Sequence, residues 1–320
     1  AKAEAICIEQ TVEYPPDLLP PGDIADEMPG RLESFEQLED GVYLASITYP
    51  IESSGFELTQ LLNVIFGNSS IKPGIRVQQL ALPQSLLAHF AGPRFGRSGL
   101  RAHLRVFGRP LLCTAIKPMG LNAQALADQV YAFALGGIDI IKDDHGLSNQ
   151  PFCPFNERVA RCAEAAARAN AKTGYNCVYM PNITGPADRI IDRAFEARLM
   201  GAGAFMIAPG LSGMDTLRRL ADDESMALPL LSHPAFMGSF VMSAESGIAH
   251  DVLFGQLMRL AGADAAIFPN FGGRFSFSVE ECMSVAQATA APLGELKPIF
   301  PTPGGGMTLE SIPRMNDVYG

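Results

Sequence analysis

The sequence predicts an α/β protein: a (β/α)8 TIM barrel, preceded by a smaller α+β domain of ferredoxin-like kind. Three observations predict it. From about Gly108 onward, short apolar runs alternate with helical patterns seven times, at the spacing of βα units. The runs are apolar throughout, as parallel strands covered on both faces must be. Charged residues gather just after the runs, where a barrel carries its chemistry. Before about residue 95 the rhythm is absent, so two domains are expected, residues 1–95 and 96–320.

In the first domain, Ala1–Ile8 reads as a helix and the pairs Pro15-Pro16 and Pro20-Pro21 mark turns. Gly41–Tyr49 alternates as a half-buried strand does, and Thr59–Phe66 is amphipathic at helical spacing. Barrel strands are expected at Leu111–Lys117, Ile138–Asp144, Asn176–Asn182, Ala202–Ala208, Pro229–His233, Asp264–Pro269 and Lys297–Thr302. The first barrel helix starts from an Asn122 cap, carries Leu126, Val130 and Phe133 on one face, and stops at Gly136-Gly137. Further helices are expected at Glu157–Ala169, Ala187–Met200, Ile248–Leu260 and Val279–Ala290, whereas Asp222-Asp223-Glu224 reads as a solvated loop. The chain ends before an eighth strand and begins inside a helical pattern, so it is expected to be shorter than the natural protein at both ends.

Composition narrows the function classes. The chain has 320 residues, is 48% hydrophobic and carries a formal net charge of −10. That length supports a large core. The acidic balance argues against nucleic acid and anionic membranes as partners. No apolar run approaches the ~18 residues of a membrane span, and no signal-peptide pattern opens the chain, so a cytoplasmic protein is expected. Cys7, Cys113, Cys153, Cys162, Cys177 and Cys282 lack metal-ligand spacing and are expected to be reduced core residues.

The most informative stretch is Gly136–His145, in which Ile138, Ile140 and Ile141 lead into Lys142-Asp143-Asp144-His145. Four ionisable groups at a strand end are costly unless they hold a metal or a substrate. A lysine beside acidic and imidazole groups also suggests a modified or pKa-shifted amine. Lys117, Asn182 and His233 stand at three other strand ends, and Gly304-Gly305-Gly306 follows the last strand. A glycine triplet there lets backbone N–H groups approach an anion, which favours a phosphorylated substrate. Each residue also has a plainer reading. Lys117 could snorkel to solvent, Asn182 could hold a turn, His233 could be a core histidine, and Arg274 could be a solvated residue of a glycine-rich loop. His89, His103 and His250 lie in helical contexts and read as structural.

Longer segments carry a resemblance. Gly137–Phe152 (GIDIIKDDHGLSNQPF) resembles the GxDFxKxDExxxxQPF signature of ribulose-bisphosphate carboxylase, rubisco. Phe90–Leu121 follows that family's FxGPxxG…YGRPLLGxTIKPKLGL segment, and residues 304–315 resemble its SGGxHxxxxP segment. The departures identify the chain as a member of the rubisco-like, non-carboxylating group.

The resemblance implies that Lys142 is the CO2-carbamylated lysine that ligates Mg2+, with Asp144 as second ligand. His145 replaces the usual glutamate, which removes a negative charge and admits another divalent metal. Lys117 matches the lysine that moves protons on the substrate, while the second lysine of the KPK motif is Met119. Asn68 and Glu9 match N-domain residues that reach a neighbouring subunit's site, which implies a homodimer or higher. Gly304–Gly306, with Lys117 and Asn182, would bind substrate and its phosphate. His233 matches a barrel histidine, but the arginine after it is Pro234, a phosphate histidine is Ile267, and the flexible-loop lysine is Arg274. Arg274 cannot supply a compact ammonium to polarise CO2. One phosphate site survives and the other does not, so the expected substrate carries one phosphate or none and is not ribulose bisphosphate.

The expected activity is therefore that of a metal-dependent lyase or isomerase acting on a keto-sugar or oxo-sugar-acid phosphate through an enediolate. Decarboxylation of a 3-oxo sugar acid phosphate is preferred, because loss of CO2 generates the enediolate without a strong base. Two alternatives stand beside it: an enolase or isomerase of a 5-methylthio-sugar phosphate, as in methionine salvage, and a catalytically silent regulator or scaffold.

Overall fold

Parallel pairing of short, mainly apolar strands organises the larger part of the chain. The computed structural model describes residues 1–275 and 277–319, so Gly320, the last residue of the expected barrel domain, lies outside the described residues. In chain order the strands are β1 (Arg31–Glu39), β2 (Val42–Thr48), β3 (Arg76–Val77), β4 (Cys113–Ile116), β5 (Ile140–Asp143), β6 (Val178–Met180), β7 (Phe205–Ile207), β8 (Leu230–Ser232), β9 (Gly247–Ile248), β10 (Ala265–Pro269) and β11 (Phe300–Gly304). β2 and six barrel strands, β4 to β8 with β10, fall in the windows read from the sequence, and β11 overlaps its window but runs two residues past Thr302.

Strands β4, β5 and β6 pair in parallel, as do β7, β8, β10 and β11. A parallel bridge from Asn182 to Met206 joins the two groups. Each of these seven strands thus lies beside the next of them in sequence, the order of a TIM barrel. Alternate side chains enter the interior. Ile140, Val178, Met180, Ala204, Met206, Leu231 and Ala265 meet there, and Leu100 and Leu104 of the helix Gly96–Leu104 join them.

The helices between strands show why they form. Asn122 caps Ala123–Leu135 by accepting a bond from the Ala125 N–H at 2.9 Å. Phe155–Thr173 ends at Gly174 in the left-handed region. Ser278 and Glu281 form a capping box at the start of Val279–Ala290.

Two expectations need correction. Ile248 belongs to β9, and the expected helix there starts at Val252 as a π-type turn, Val252–Leu257. Val252, Leu253, Phe254 and Leu257 are all buried, so no apolar stripe distinguished its face or its start. Met214–Asp222 is an unforeseen helix, and Asp222 is its last residue rather than part of a loop. Its charges are paired, Arg218 with Asp222 at 2.6 Å and Arg219 with Asp223 at 3.0 Å. All six cysteines are free, and five are buried, with Cys113 half-buried.

The chain divides into two units, residues 1–89 with 239–249, and residues 90–238 with the chain from 250 on. The first is an α+β unit in which β1 and β2 pair antiparallel and β3 pairs with β9. Its helix Leu58–Phe66 buries Leu58, Leu61, Val64 and Phe66.

At the N-terminal end of the barrel two carboxylates stitch elements together. Asp264 accepts bonds from the Phe95 and Gly96 N–H groups, both at 2.7 Å, and from the Leu230 N–H at 2.9 Å. Asp139 receives both Arg109 nitrogens at 2.7 Å and the Leu112 N–H at 2.8 Å. Burial without such donors would cost several kcal/mol per charge.

Candidate active site

Strand alternation decides which groups reach the barrel mouth. Ile140 lies in the barrel interior, so Lys142 and then Asp144 follow on the same face. Cys113 packs against the interior, Ala115 pairs with Lys142, and Lys117 is the next residue of that parity. His233 follows β8 directly, and Gly304, opposite Pro269, ends β11. All these strands are parallel, so their ends open on one side.

There the side chains meet. Lys117 Nζ lies 3.0 Å from Asp144 Oδ2, and His145 Nδ1 lies 3.2 Å from Asp144 Oδ1. The Gly146 N–H donates to the same Oδ1 at 3.0 Å. The rings of His145 and His233 stack, 4.6 Å apart and 13° from parallel. Lys142 Nζ donates to the Asp143 carbonyl at 3.1 Å.

The electrostatics follow from burial and neighbours. Burial pushes the Lys142 amine below its ordinary value. Burial, helped by Lys142 and His145, holds His233 down at about 3. His233 is therefore neutral near pH 7, and its Nδ1 accepts the Ala235 N–H at 3.1 Å, which assigns the ring proton to Nε2. Burial opposes ionisation of Asp144, yet the Gly146 N–H and Lys117 hold its carboxyl below the usual range.

The sequence reading passed over the support for this segment. Asp143 faces outward from β5 and is fully buried. Arg158 Nε lies 3.2 Å from its Oδ2, the Tyr179 hydroxyl donates at 2.6 Å, and the Asn182 N–H donates at 3.0 Å. Burial pushes the Asp143 carboxyl up, while Arg158, Tyr179 and Asn182 draw it back. A signal existed: Arg158 falls on the helix face that buries Phe155, Cys162, Ala166 and Ala169, where an arginine needs a buried acid.

Other expected residues have more particular places. Asn182 uses its amide to donate to the carbonyls of His145 at 3.0 Å and Leu147 at 2.9 Å, so it holds the loop after β5. Gly305 and Gly306 have φ of +92° and +80°. A Cβ on Gly273 would meet the Gly305 carbonyl at 2.1 Å, so the glycines of both loops permit close backbone approach. Arg274 is exposed, its guanidinium 5.2 Å from the centre of the Phe275 ring. Glu9 and Asn68 meet in the N-terminal unit, where Asn68 Nδ2 donates to Glu9 at 3.0 Å and Lys72 pairs with the same carboxylate. His103 bonds the Gly203 carbonyl at 2.8 Å, and His89 stacks on Phe56.

Among the described residues, no three His, Cys, Asp or Glu side chains gather to hold a metal ion. Asp144 and His145 are an adjacent oxygen and nitrogen donor pair that needs a third ligand. Lys142, two residues before Asp144, fits that need as a carbamate. Its depressed amine favours the neutral form that combines with CO2. The residues thus fit a carbamate-assisted divalent metal. No helix among the described residues is long and apolar enough to cross a membrane.

Known proteins resemble this chain in sequence and fold. Residues 96–320 match the family model of the ribulose bisphosphate carboxylase large chain, catalytic domain. The crystal structure of a rubisco-like protein from Rhodopseudomonas palustris superposes with a TM-score of 0.92 at 39% identity, over 100% of this chain and 87% of that one. The 5-methylthioribulose-1-phosphate isomerase of Rhodospirillum rubrum is 36% identical over 100% of this chain and 84% of its own length. The 2,3-diketo-5-methylthiopentyl-1-phosphate enolase of Geobacillus kaustophilus is 32% identical over 87% of this chain and 67% of its own.

Proposed function

The chain belongs to the rubisco large-chain family, and from that premise we propose that it enolises or isomerises a 5-methylthio keto-sugar 1-phosphate rather than fixing CO2. The observation that most supports this is the convergence of Lys117, Lys142, Asp144, His145 and His233 at one mouth. The contrast between the two ends of the site adds to it. The Gly304–Gly306 loop offers backbone to one phosphate. Where the family resemblance expects an arginine and a histidine for a second, the chain has Pro234 and Ile267, and Met119 replaces a further lysine of the KPK motif. Ile267 packs on the barrel core, and the Met119 methyl lies against Gly146. An alkylthio tail suits such a wall, whereas a second phosphate dianion would lack a partner.

Lys142 as a carbamate, Asp144 and His145 would hold the divalent metal, Mg2+ or a softer ion. When bound, the metal would stabilise negative charge on two neighbouring substrate oxygens. Lys117 would move the proton between adjacent carbons, its amine steadied by Asp144. The Nε2–H of His233 would donate to the developing oxyanion. Asn182 would keep the loop carrying His145 and Leu147 in register. Arg274, Glu9 and Asn68 complete the proposal as residues that cover the site, the latter two within a homodimer.

The preference for decarboxylation assumed a site poor in bases. The amine of Lys117 at the mouth weakens that assumption, and the two relatives named above with an activity are an isomerase and an enolase. The test supplies the metal-loaded, bicarbonate-treated protein with 5-methylthioribulose 1-phosphate or 2,3-diketo-5-methylthiopentyl 1-phosphate in D2O. Phosphorus and proton NMR should show a new phosphate ester and deuterium at the enolised carbon. Release of CO2 from a 3-oxo sugar acid phosphate, with no deuterium in either ketone, would overturn the proposal in favour of the lyase. A calorimetric titration without any saturable metal site would favour the silent scaffold.

A further inference from the structure

We propose that Gln129 is a positioning residue for Lys117, fixing from the neighbouring helix the main chain of the lysine that transfers the proton. The inference rests on the role given to Lys117 above and adds the device that aims it.

Lys117 stands one residue beyond β4, whose last residue, Ile116, pairs with Asp143. The ladder stops there, and Pro118 brings no N–H. The N–H and C=O of Lys117 still need partners. Gln129 supplies both. Its Oε1 accepts the Lys117 N–H at 3.1 Å, and its Nε2 donates to the Lys117 carbonyl. A primary amide carries donor and acceptor side by side, the pair that a neighbouring strand would present.

Gln129 is itself held firmly. It lies on the helix Ala123–Leu135, capped by Asn122 and anchored by the buried residues Leu126, Val130 and Ala134. At the other end of the lysine, Nζ is 3.0 Å from Asp144. A lysine stem is flexible, so an ion pair at its tip does not place the amine unless the Cα is also fixed. The Gln129 amide fixes it. Without the clamp the strand end frays and the amine sweeps a wider arc over the substrate carbons.

The test compares the full-length protein with Gln129→Met, which keeps the shape and removes both bonds, and Gln129→Glu, which keeps the acceptor and removes the donor. Gln124→Met is the control on the same helix, since among the described residues Gln124 bonds to Asp128 and Arg161 and not to Lys117. Two quantities are read: kcat and KM, and the trace acetylation rate of Lys117 against that of exposed Lys172, resolved by mass spectrometry. Gln129→Met should lower kcat about 10- to 100-fold with KM within about 3-fold, and should change Lys117 acetylation by at least about 3-fold. Gln129→Glu should fall between it and the parent, and Gln124→Met should match the parent. Unchanged Lys117 acetylation in both Gln129 variants overturns the clamp, whatever the activity. Changed acetylation with unchanged kcat leaves the clamp standing and removes Lys117 from proton transfer, so it overturns the role on which the inference rests. If Gln129→Met does not fold, Gln129→Glu carries the same two readouts.

Discussion

At the N-terminal end of the barrel, Asp139 and Asp264 each receive three donors from backbone or arginine. At the C-terminal end, Lys117, Asp144 and the His145–His233 stack contact one another and leave Lys142 on a single carbonyl. Both ends hold charge in or beside an apolar core. One uses it to tie loops and a helix start to strands. The other keeps it available. The contrast teaches that a barrel's charges are to be sorted by partners rather than by burial: complete partnering marks stability, and incomplete partnering marks chemistry.

Replacing Lys142 by Met attacks the available end and should show the largest effect. The proton-transfer activity is expected to fall at least about 10^3-fold, equivalent to about 4 kcal/mol of barrier. The melting temperature should stay level or rise, because an apolar side chain replaces a half-buried amine. A variant that melted much lower while keeping its activity would place Lys142 with the structural charges and break the contrast.

The two faces of β5 provide the next test. Asp143→Leu leaves Lys142 and Asp144 in sequence but strands the buried Arg158. Loss of one partner of a buried ion pair costs about 3–5 kcal/mol, so urea unfolding should show a loss of that size. A loss below about 1 kcal/mol would mean that Arg158, whose Nη1 also donates to the Cys153 carbonyl, does not depend on Asp143, and would weaken the reading of the outer face of β5 as structural.

Asp264 allows a pH test at the opposite end. Burial, against the opposing pull of the Leu230, Gly96 and Phe95 N–H groups, raises its carboxyl to about 6 from 3.8. The folded state therefore binds more protons than the unfolded state between those values. The stabilising contribution is complete below about pH 3.8 and is lost as the pH rises through about 6, by about 3 kcal/mol in all. Asp264→Asn removes the titration and should cost about 1–3 kcal/mol at pH 5 through mismatched donors. Urea midpoints from pH 4 to 7 should show the gap between parent and variant narrowing as the pH rises. A gap independent of pH would mean that Asp264 stays ionised throughout, held by its three N–H donors.

Much of this was legible in the residues. Strands covered on both faces read as unbroken apolar runs, so all seven barrel windows contain a strand. The mouth residues were visible because a charge directly after such a run has nowhere to go but the strand end. Hidden from view were pairs whose meaning depends on which way a side chain faces. Asp143 and Arg158 are 15 residues apart, and nothing local says that each turns toward the other between strand and helix. Gln129 looks like any polar helix residue until its helix is docked and its amide faces Lys117. The helix Met214–Asp222 follows a Pro209–Ser212 turn and carries paired charges, so its apolar stripe of Leu217, Leu220 and Ala221 is short.

Asn122 gives the finest test, because it lies in the loop after β4, at the catalytic end, yet its side-chain oxygen serves a structural partner. Its Oδ1 caps the helix Ala123–Leu135 through the Ala125 N–H at 2.9 Å. Asn122→Ala should cost about 1 kcal/mol of stability, the usual loss for a helix N-cap. It stands five positions after Lys117, and the Gln129 clamp lies two turns further along the same helix. If position along the barrel axis decided function, the variant would lose activity with its neighbours. If partnering decides, urea unfolding shifts by that amount while kcat and KM stay within about 2-fold of the parent, since cap losses fray only the first turn and leave Leu126 and Val130 to hold Gln129 in place. A larger fall in kcat than in stability would show that the cap, and not only the Gln129 amide, aims the lysine.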